Sequence, residues 1–108
     1  MGTQQADVFH AVSDVTRRAI LDRLRHGAQP VHEIASAFPV SRPAISKHLR
    51  VLHEAQLVTE RKQGRQRMYY LNPEPLRNVD QWLESYRNFW SVSLANLKRH
   101  LEKKETKQ

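Results

Sequence analysis

The chain contains no cysteine among its 108 residues. That absence removes disulfides, thiolate metal sites and cysteine nucleophiles together, and it fits a reducing compartment. Met1 to Asp7 have neither the basic nor the apolar region of a signal peptide. No apolar run approaches the roughly 20 residues that a membrane-spanning helix needs. These absences predict a soluble cytoplasmic protein without a membrane partner. There is no glycine-rich phosphate loop, and no serine, histidine and carboxylate trio that a fold would bring together, so no enzyme is expected. The aromatic sheet motif of common single-stranded RNA readers is missing as well. Acidic residues are scarce: eleven Asp+Glu face eighteen Lys+Arg, a formal net charge of +7. Such a surplus favours a polyanionic partner, nucleic acid or anionic lipid, although it also serves general solubility.

What is present suits one compact domain spanning 1–108, with 39% hydrophobic and 27% charged residues and no repeat or low-complexity stretch. Val8, Phe9 and Val12 predict a short amphipathic helix ending near Ser13. Ser13 and Asp14 offer side-chain oxygens to the unpaired N–H groups that open a second helix. There Ile20, Leu21 and Leu24 form the apolar stripe, with Arg17, Arg18, Asp22 and Arg23 able to face outward. Arg17 and Arg18 could touch phosphates or pair within the fold. Gly27 marks the stop, and 28–30 read as loop. A third helix is expected from about His32 to Phe38, with Ile34, Ala35 and Phe38 inward, before Pro39-Val40 breaks it. Ser41 then caps a fourth helix whose first turn holds Pro43, where a missing N–H costs nothing. Ile45, Leu49 and Leu52 recur down its inner face until it ends near Ala55.

From Leu57 the period changes. Residues 57–61 and 66–71 are strand-like runs, joined by a turn at Gln63-Gly64-Arg65. After Asn72-Pro73-Glu74-Pro75, the residues Leu76, Val79, Leu83, Tyr86, Trp90, Leu94, Leu97 and Leu101 advance by threes and fours. They predict a long final helix over about 76–103, with Trp82 and Phe89 widening its apolar face and a charged tail fraying from Glu102. The fold class is mainly α with a small β-hairpin, a winged helix-turn-helix in the order α-α-α-α-β-β-α.

Two helices joined by a tight turn and followed by a basic hairpin make a device for reading duplex DNA. The major groove, about 12 Å wide, admits one α-helix, which a second helix must back at a fixed angle. Ile34, Ala35 and Phe38 would pack on Ile45, Leu49 and Leu52, with Val40 plugging the junction. At about 100° per residue, Pro43, Ser46, Lys47, Arg50 and Glu54 fall opposite that stripe, with Arg42 near them at the helix start. Arginine can bond two guanine acceptors, lysine reaches guanine or phosphate, and a helix N-terminus offers N–H groups to phosphate. The hairpin adds Arg61, Lys62, Arg65 and Arg67 around Gly64, suited to a phosphate backbone or the minor groove. The plainer readings are a solvated helix face and a charged, aggregation-resistant hairpin.

Ser13-Asp14-Val15-Thr16-Arg17-Arg18-Ala19-Ile20-Leu21 is similar to the SDPTRRxIL opening of the ArsR-type (arsenical-repressor-like) transcription regulators. The run from Val40 to Leu52 resembles that family's recognition-helix signature. Leu57-Val58, Gly64-Arg65 and Tyr70-Leu71 continue the likeness, and Trp82-Leu83-Glu84 with Phe89-Trp90 resembles a metal-free, autorepressor-like branch. The resemblance, running from about Asp7 to Leu101, implies a dimeric repressor on an inverted repeat near a promoter, often its own. By position Arg42, Pro43, Ser46 and Lys47 match places where family members touch DNA, with His48 beside them; Ser41, His48 and Arg50 are expected to join them as DNA-binding residues of the recognition helix. His32 stands where relatives often carry a Ser or Thr cap, which weakens the expected cap of the third helix. The family's metal sites need cysteines in the third helix, or an Asp-x-His start in the last one. Here Val31 to Phe38 holds no cysteine, and Asp80-Gln81-Trp82 has tryptophan in the histidine's place. No metal or cofactor is expected, and the scattered histidines read as structural.

A final helix exposing so many apolar residues exceeds what a small core can cover. Part could pack on the first helix; the rest implies a homodimer through Phe9, Leu83, Tyr86, Trp90, Leu94 and Leu97. Two alternatives stay open: a repressor switched by a small molecule or an unrecognised metal, and a winged-helix protein-interaction module. The exposed Arg42, Lys47 and Arg50 argue against the second.

Overall fold

The computed structural model describes residues 3–106; the outermost residues of the expected 1–108 domain, 1–2 and 107–108, lie outside it. The elements are α1 (Thr3–Val12), α2 (Val15–Leu24), β1 (Gln29–Pro30), α3 (Val31–Ser36), α4 (Arg42–Glu54), β2 (Val58–Gln63), β3 (Gln66–Leu71) and α5 (Leu76–Thr106). They form two compact units, one up to Asn78 and one from Val79 onward.

Helix starts follow the sequence chemistry. Asp14 caps α2, its carboxylate accepting from the Arg17 N–H at 2.9 Å. Ser41 caps α4, its hydroxyl accepting from the Ala44 N–H at 3.2 Å. Each satisfies one of the N–H groups that a helix leaves unpaired at its start. Helix α3 begins at Pro30, with no side-chain cap, and runs Val31–Ser36 rather than 32–38.

At the far end of α4, Gln56 adopts a positive φ of 62°. The Leu57 N–H then reaches the Leu52 carbonyl at 2.9 Å, and the Gln56 N–H reaches that of His53 at 2.9 Å. These paired bonds of a Schellman end close the helix and aim the chain into β2. The Asn72 side chain donates to the Gln56 carbonyl at 2.8 Å and holds the bend.

The sheet has three antiparallel strands in the order β1-β3-β2, so the expected hairpin gains a strand. Gln29 pairs with Tyr69 and Pro30 with Met68. A two-residue strand that includes proline carries no period, which is why 28–30 read as loop. The hairpin turn is tighter than expected: Gln63 pairs with Gln66, leaving only Gly64 and Arg65 between the strands. The φ of 63° at Gly64 supplies the positive angle that a type II′ turn needs at its first central residue.

The core of the first unit gathers Ile20, Leu21, Leu24, Ile34, Ile45, Leu49, Leu52, Leu57 and Val58, with Phe38, Tyr69 and Leu76 packed against it. Val40 is 40% exposed and does not plug the α3–α4 junction as expected; the half-buried Phe38 packs on that core instead.

In the second unit α5 remains helical to Thr106, past the expected fraying point at Glu102. Trp82, Tyr86, Phe89, Trp90, Leu94, Leu97 and Leu101 are all exposed. Leu83 is half-buried. Trp82 meets Tyr86 edge-on at 5.4 Å, and Tyr86 lies 6.3 Å from Trp90, forming an aromatic edge on the stripe. No helix among the described residues is long and apolar enough to cross a membrane.

Candidate nucleic-acid interface

Burial of Ile45, Leu49 and Leu52 fixes which side of α4 faces out. Ser41, Arg42, Pro43, Ser46, Lys47 and Arg50 are exposed. Their spacing places hydroxyl donors, a lysine and two arginines along the helix face opposite the core.

His48 departs from that group. It is half-buried and turns Nδ1 toward Arg17 Nη1 at 3.2 Å, with the Asp14 carboxylate 3.9 Å away. At about 100° per residue it falls between the polar face and the buried stripe, so it meets the start of α2. The backbone N–H of Arg17, with His48 and the Arg17 guanidinium nearby, holds the Asp14 carboxyl below the usual range despite partial burial. Arg17 itself, allowed for as a phosphate contact, is 8% exposed and engaged inside the fold. Arg18 donates to the Val12 carbonyl at 2.7 Å.

The hairpin divides its cations by strand register. Lys62 and Arg67 are cross-strand partners on the face that also carries Glu60 and Tyr69. Arg61 is on the opposite face, its guanidinium 5.5 Å above the Tyr70 ring. Arg65 is at the tip beside Gly64. Tyr69 is half-buried, and burial together with the Glu60 carboxylate pushes its hydroxyl above the usual tyrosine range, keeping it a donor.

Two grooves flank the hairpin. One of about 310 Å³ lies between Ser46, Arg50 and His53 of α4 and Glu60, Arg67 and Tyr69 of the strands. The other, about 290 Å³, gathers Arg42, Arg65, Gln66, Arg67 and His32. Helix α4 and the wing therefore share one cationic surface. Sequence reasoning passed over Glu60, Tyr69, His32 and Gln66. The alternation along β2 and β3 would have placed Glu60 and Tyr69 beside Arg67, whereas nothing local pointed to His32.

The family model for bacterial regulatory proteins of the arsR family matches residues 14–60, from the cap of α2 into β2. HTH-type transcriptional regulator Rv2034 of Mycobacterium tuberculosis is 45% identical over 87 residues, covering 81% of this chain and 78% of that protein. The chain belongs to the ArsR family. Transcriptional repressor SdpR of Bacillus subtilis is similar too, at 38% identity over 76% of this chain and 91% of the relative. Among solved structures, an ArsR family transcriptional regulator, RHA00566, superposes with a TM-score of 0.74 at 34% identity, covering 84% of this chain and 94% of that one. A homodimeric winged helix-turn-helix DNA-binding domain from Mycobacterium bovis superposes at 0.64, with 27% identity over 79% of each chain.

As an ArsR-family transcriptional regulator, the protein presents α3 and α4 as its helix-turn-helix and β2–β3 as its wing. Among the described residues, no group of three or more His, Cys, Asp or Glu side chains converges as a metal site. Asp80, where the family's last-helix metal site would start, is ion-paired with Arg87.

Proposed function

We propose that this ArsR-family regulator is a sequence-specific double-stranded DNA-binding repressor that acts as a homodimer on an inverted repeat, its own promoter included. The observation that carries this reading is the open polar face of α4, where Arg42, Ser46, Lys47 and Arg50 stand clear of the core. Arginine and lysine on that face suit guanine edges, while Ser41, Pro43 and the start of α4 suit phosphate. Lys62, Gly64 and Arg65 of the wing, with Arg61 and Arg67 in supporting positions, would follow the backbone beside the reading helix. The groove lined by Arg42, Arg65 and His32 brings two exposed arginines together, which would suit a phosphodiester.

The exposed aromatic and leucine stripe of α5 favours a second copy as its cover, because an apolar surface of this extent is unusual on a monomer. Tyr86, Trp90, Leu94 and Leu97 would form that interface together with Leu83, and the half-buried Phe9 of the first unit would be a further contact with the second copy. A twofold pair would set two reading helices about 34–36 Å apart, one turn of duplex, and repression would follow from occluding the promoter. The test is titration against random and palindromic duplexes at several salt concentrations. The reading requires a sequence preference that persists as salt rises; binding with no preference after selection would refute it.

A further inference from the structure

Arg17 spends its guanidinium inside the fold. Nε donates to the Ala11 carbonyl at 2.8 Å, Nη2 to the His10 carbonyl at 3.1 Å, and Nη1 meets His48 Nδ1 at 3.2 Å. The two carbonyls belong to the last turn of α1, and that of His10 also accepts from the Ser13 N–H at 3.1 Å and the Ser13 hydroxyl at 2.7 Å. The Arg17 backbone N–H goes to the Asp14 cap. One side chain therefore joins the end of α1, the start of α2 and the middle of α4.

For that contact to be a hydrogen bond, Nδ1 of His48 must accept, because a guanidinium carries only donors; the pairing therefore requires the ring proton on Nε2. Apolar packing by Ile45, Leu49 and Leu52 holds α4 against the core but is non-directional. A hydrogen bond from a charged donor is directional, and it acts on the residue next to Lys47. Rotation of α4 about its axis would carry His48 away from Arg17 and move Lys47 and Arg50 with it.

We infer that Arg17 and His48 are a positioning pair that fixes the rotation of α4, His48 acting through Nδ1 on Arg17 rather than reading bases. The inference rests on α4 being the DNA-reading helix and adds what aims it. A misaimed helix keeps its charge, so it loses discrimination between sequences while non-specific affinity survives.

The experiment measures the ratio of specific to non-specific affinity, with its salt dependence, for the full chain carrying His48→Asn, His48→Gln or His48→Leu. Asparagine places its amide oxygen near the position of Nδ1, whereas glutamine places its polar end near Nε2. His48→Asn is expected to retain the ratio. His48→Gln and His48→Leu are expected to lower it about tenfold, the order set by a charge-assisted hydrogen bond, with non-specific affinity and salt slope unchanged. Retention by glutamine but not asparagine would overturn the inference and make Nε2 a DNA contact. An unchanged ratio in His48→Leu, or a parallel fall in specific and non-specific binding, would also overturn it. Long-range nitrogen–proton NMR on the wild-type protein gives a check that needs neither DNA nor a variant: the His48 ring must carry its proton on Nε2, and an Nδ1–H form would refute the pair. If the wild-type protein selects no sequence, the reading of α4 fails, while the tautomer still reports on the Arg17–His48 bond.

Discussion

Glu60 accepts a hydrogen bond from Arg67 at 3.1 Å, diagonally across the β2–β3 ladder. The pair is largely exposed at Arg67 and adds at most about 1 kcal/mol to stability. Its larger consequence is for charge. Arg67 is partly neutralised by its neighbour, Arg61 leans on Tyr70, and the exposed Lys62 and Arg65 have no ion-pair partner among the described residues. Four cations that look equivalent in the sequence are unequal in the fold.

The wing should therefore show a hierarchy. Arg65→Ala is expected to weaken all duplexes alike and to reduce the slope of log affinity against log salt by about 1 per subunit, about 2 for the dimer. Arg67→Ala should have a smaller effect, because its charge is already countered. Fluorescence anisotropy at four or five salt concentrations would measure both slopes.

The reading helix should behave differently. Lys47→Ala and Arg42→Ala are each expected to cost about 1–3 kcal/mol at the preferred site and to relax selectivity at one base position. Competition titrations with single-base variants of that site would reveal which position each side chain reads.

Loss of the Ser41 cap should weaken the fold in addition to removing a proposed phosphate contact. Ser41→Ala is expected to lower unfolding free energy by about 1 kcal/mol, and Ser41→Asp to retain it, as measured by urea titration.

Acid should act through Asp14. Its folded-state pKa is depressed, so its stabilisation is complete above the ordinary aspartate value of about 3.9 and is lost as pH falls through the folded value. Asp14→Asn can still cap α2 but cannot titrate. The variant is expected to show a shallower loss of stability than wild type below about pH 4, read from urea midpoints across that range.

Local chemistry explains which features the sequence disclosed. Asp14 and Ser41 were legible because a capping side chain bonds only three residues onward. Ile45, Leu49 and Leu52 were legible because burial of one helix face imposes a period. β1 was not, since Gln29 and Pro30 become a strand only through Tyr69 and Met68, about forty residues later. Arg17 and His48 were hidden for the same reason: their bond spans 31 residues and leaves no periodic trace. Val40 misled because an apolar residue in a turn reads as a plug, although here it faces solvent.

The proposed assembly rests on the exposed stripe of α5. Trp90→Asp and Leu94→Asp place a charge on the surface proposed to meet the second copy, and each is expected to give monomers by sedimentation. Their affinity for a palindromic duplex should fall much further than their affinity for a half-site.

Footprinting on a selected duplex bears most directly on a doubled α4 face entering DNA. Reagents that attack major-groove guanine should reveal two protected patches on one side of the helix, centred about 10 base pairs apart, and both should weaken together in Lys47→Ala at equal protein concentration. Protection of the phosphate backbone alone, or a single patch unaffected by Lys47→Ala, would contradict it.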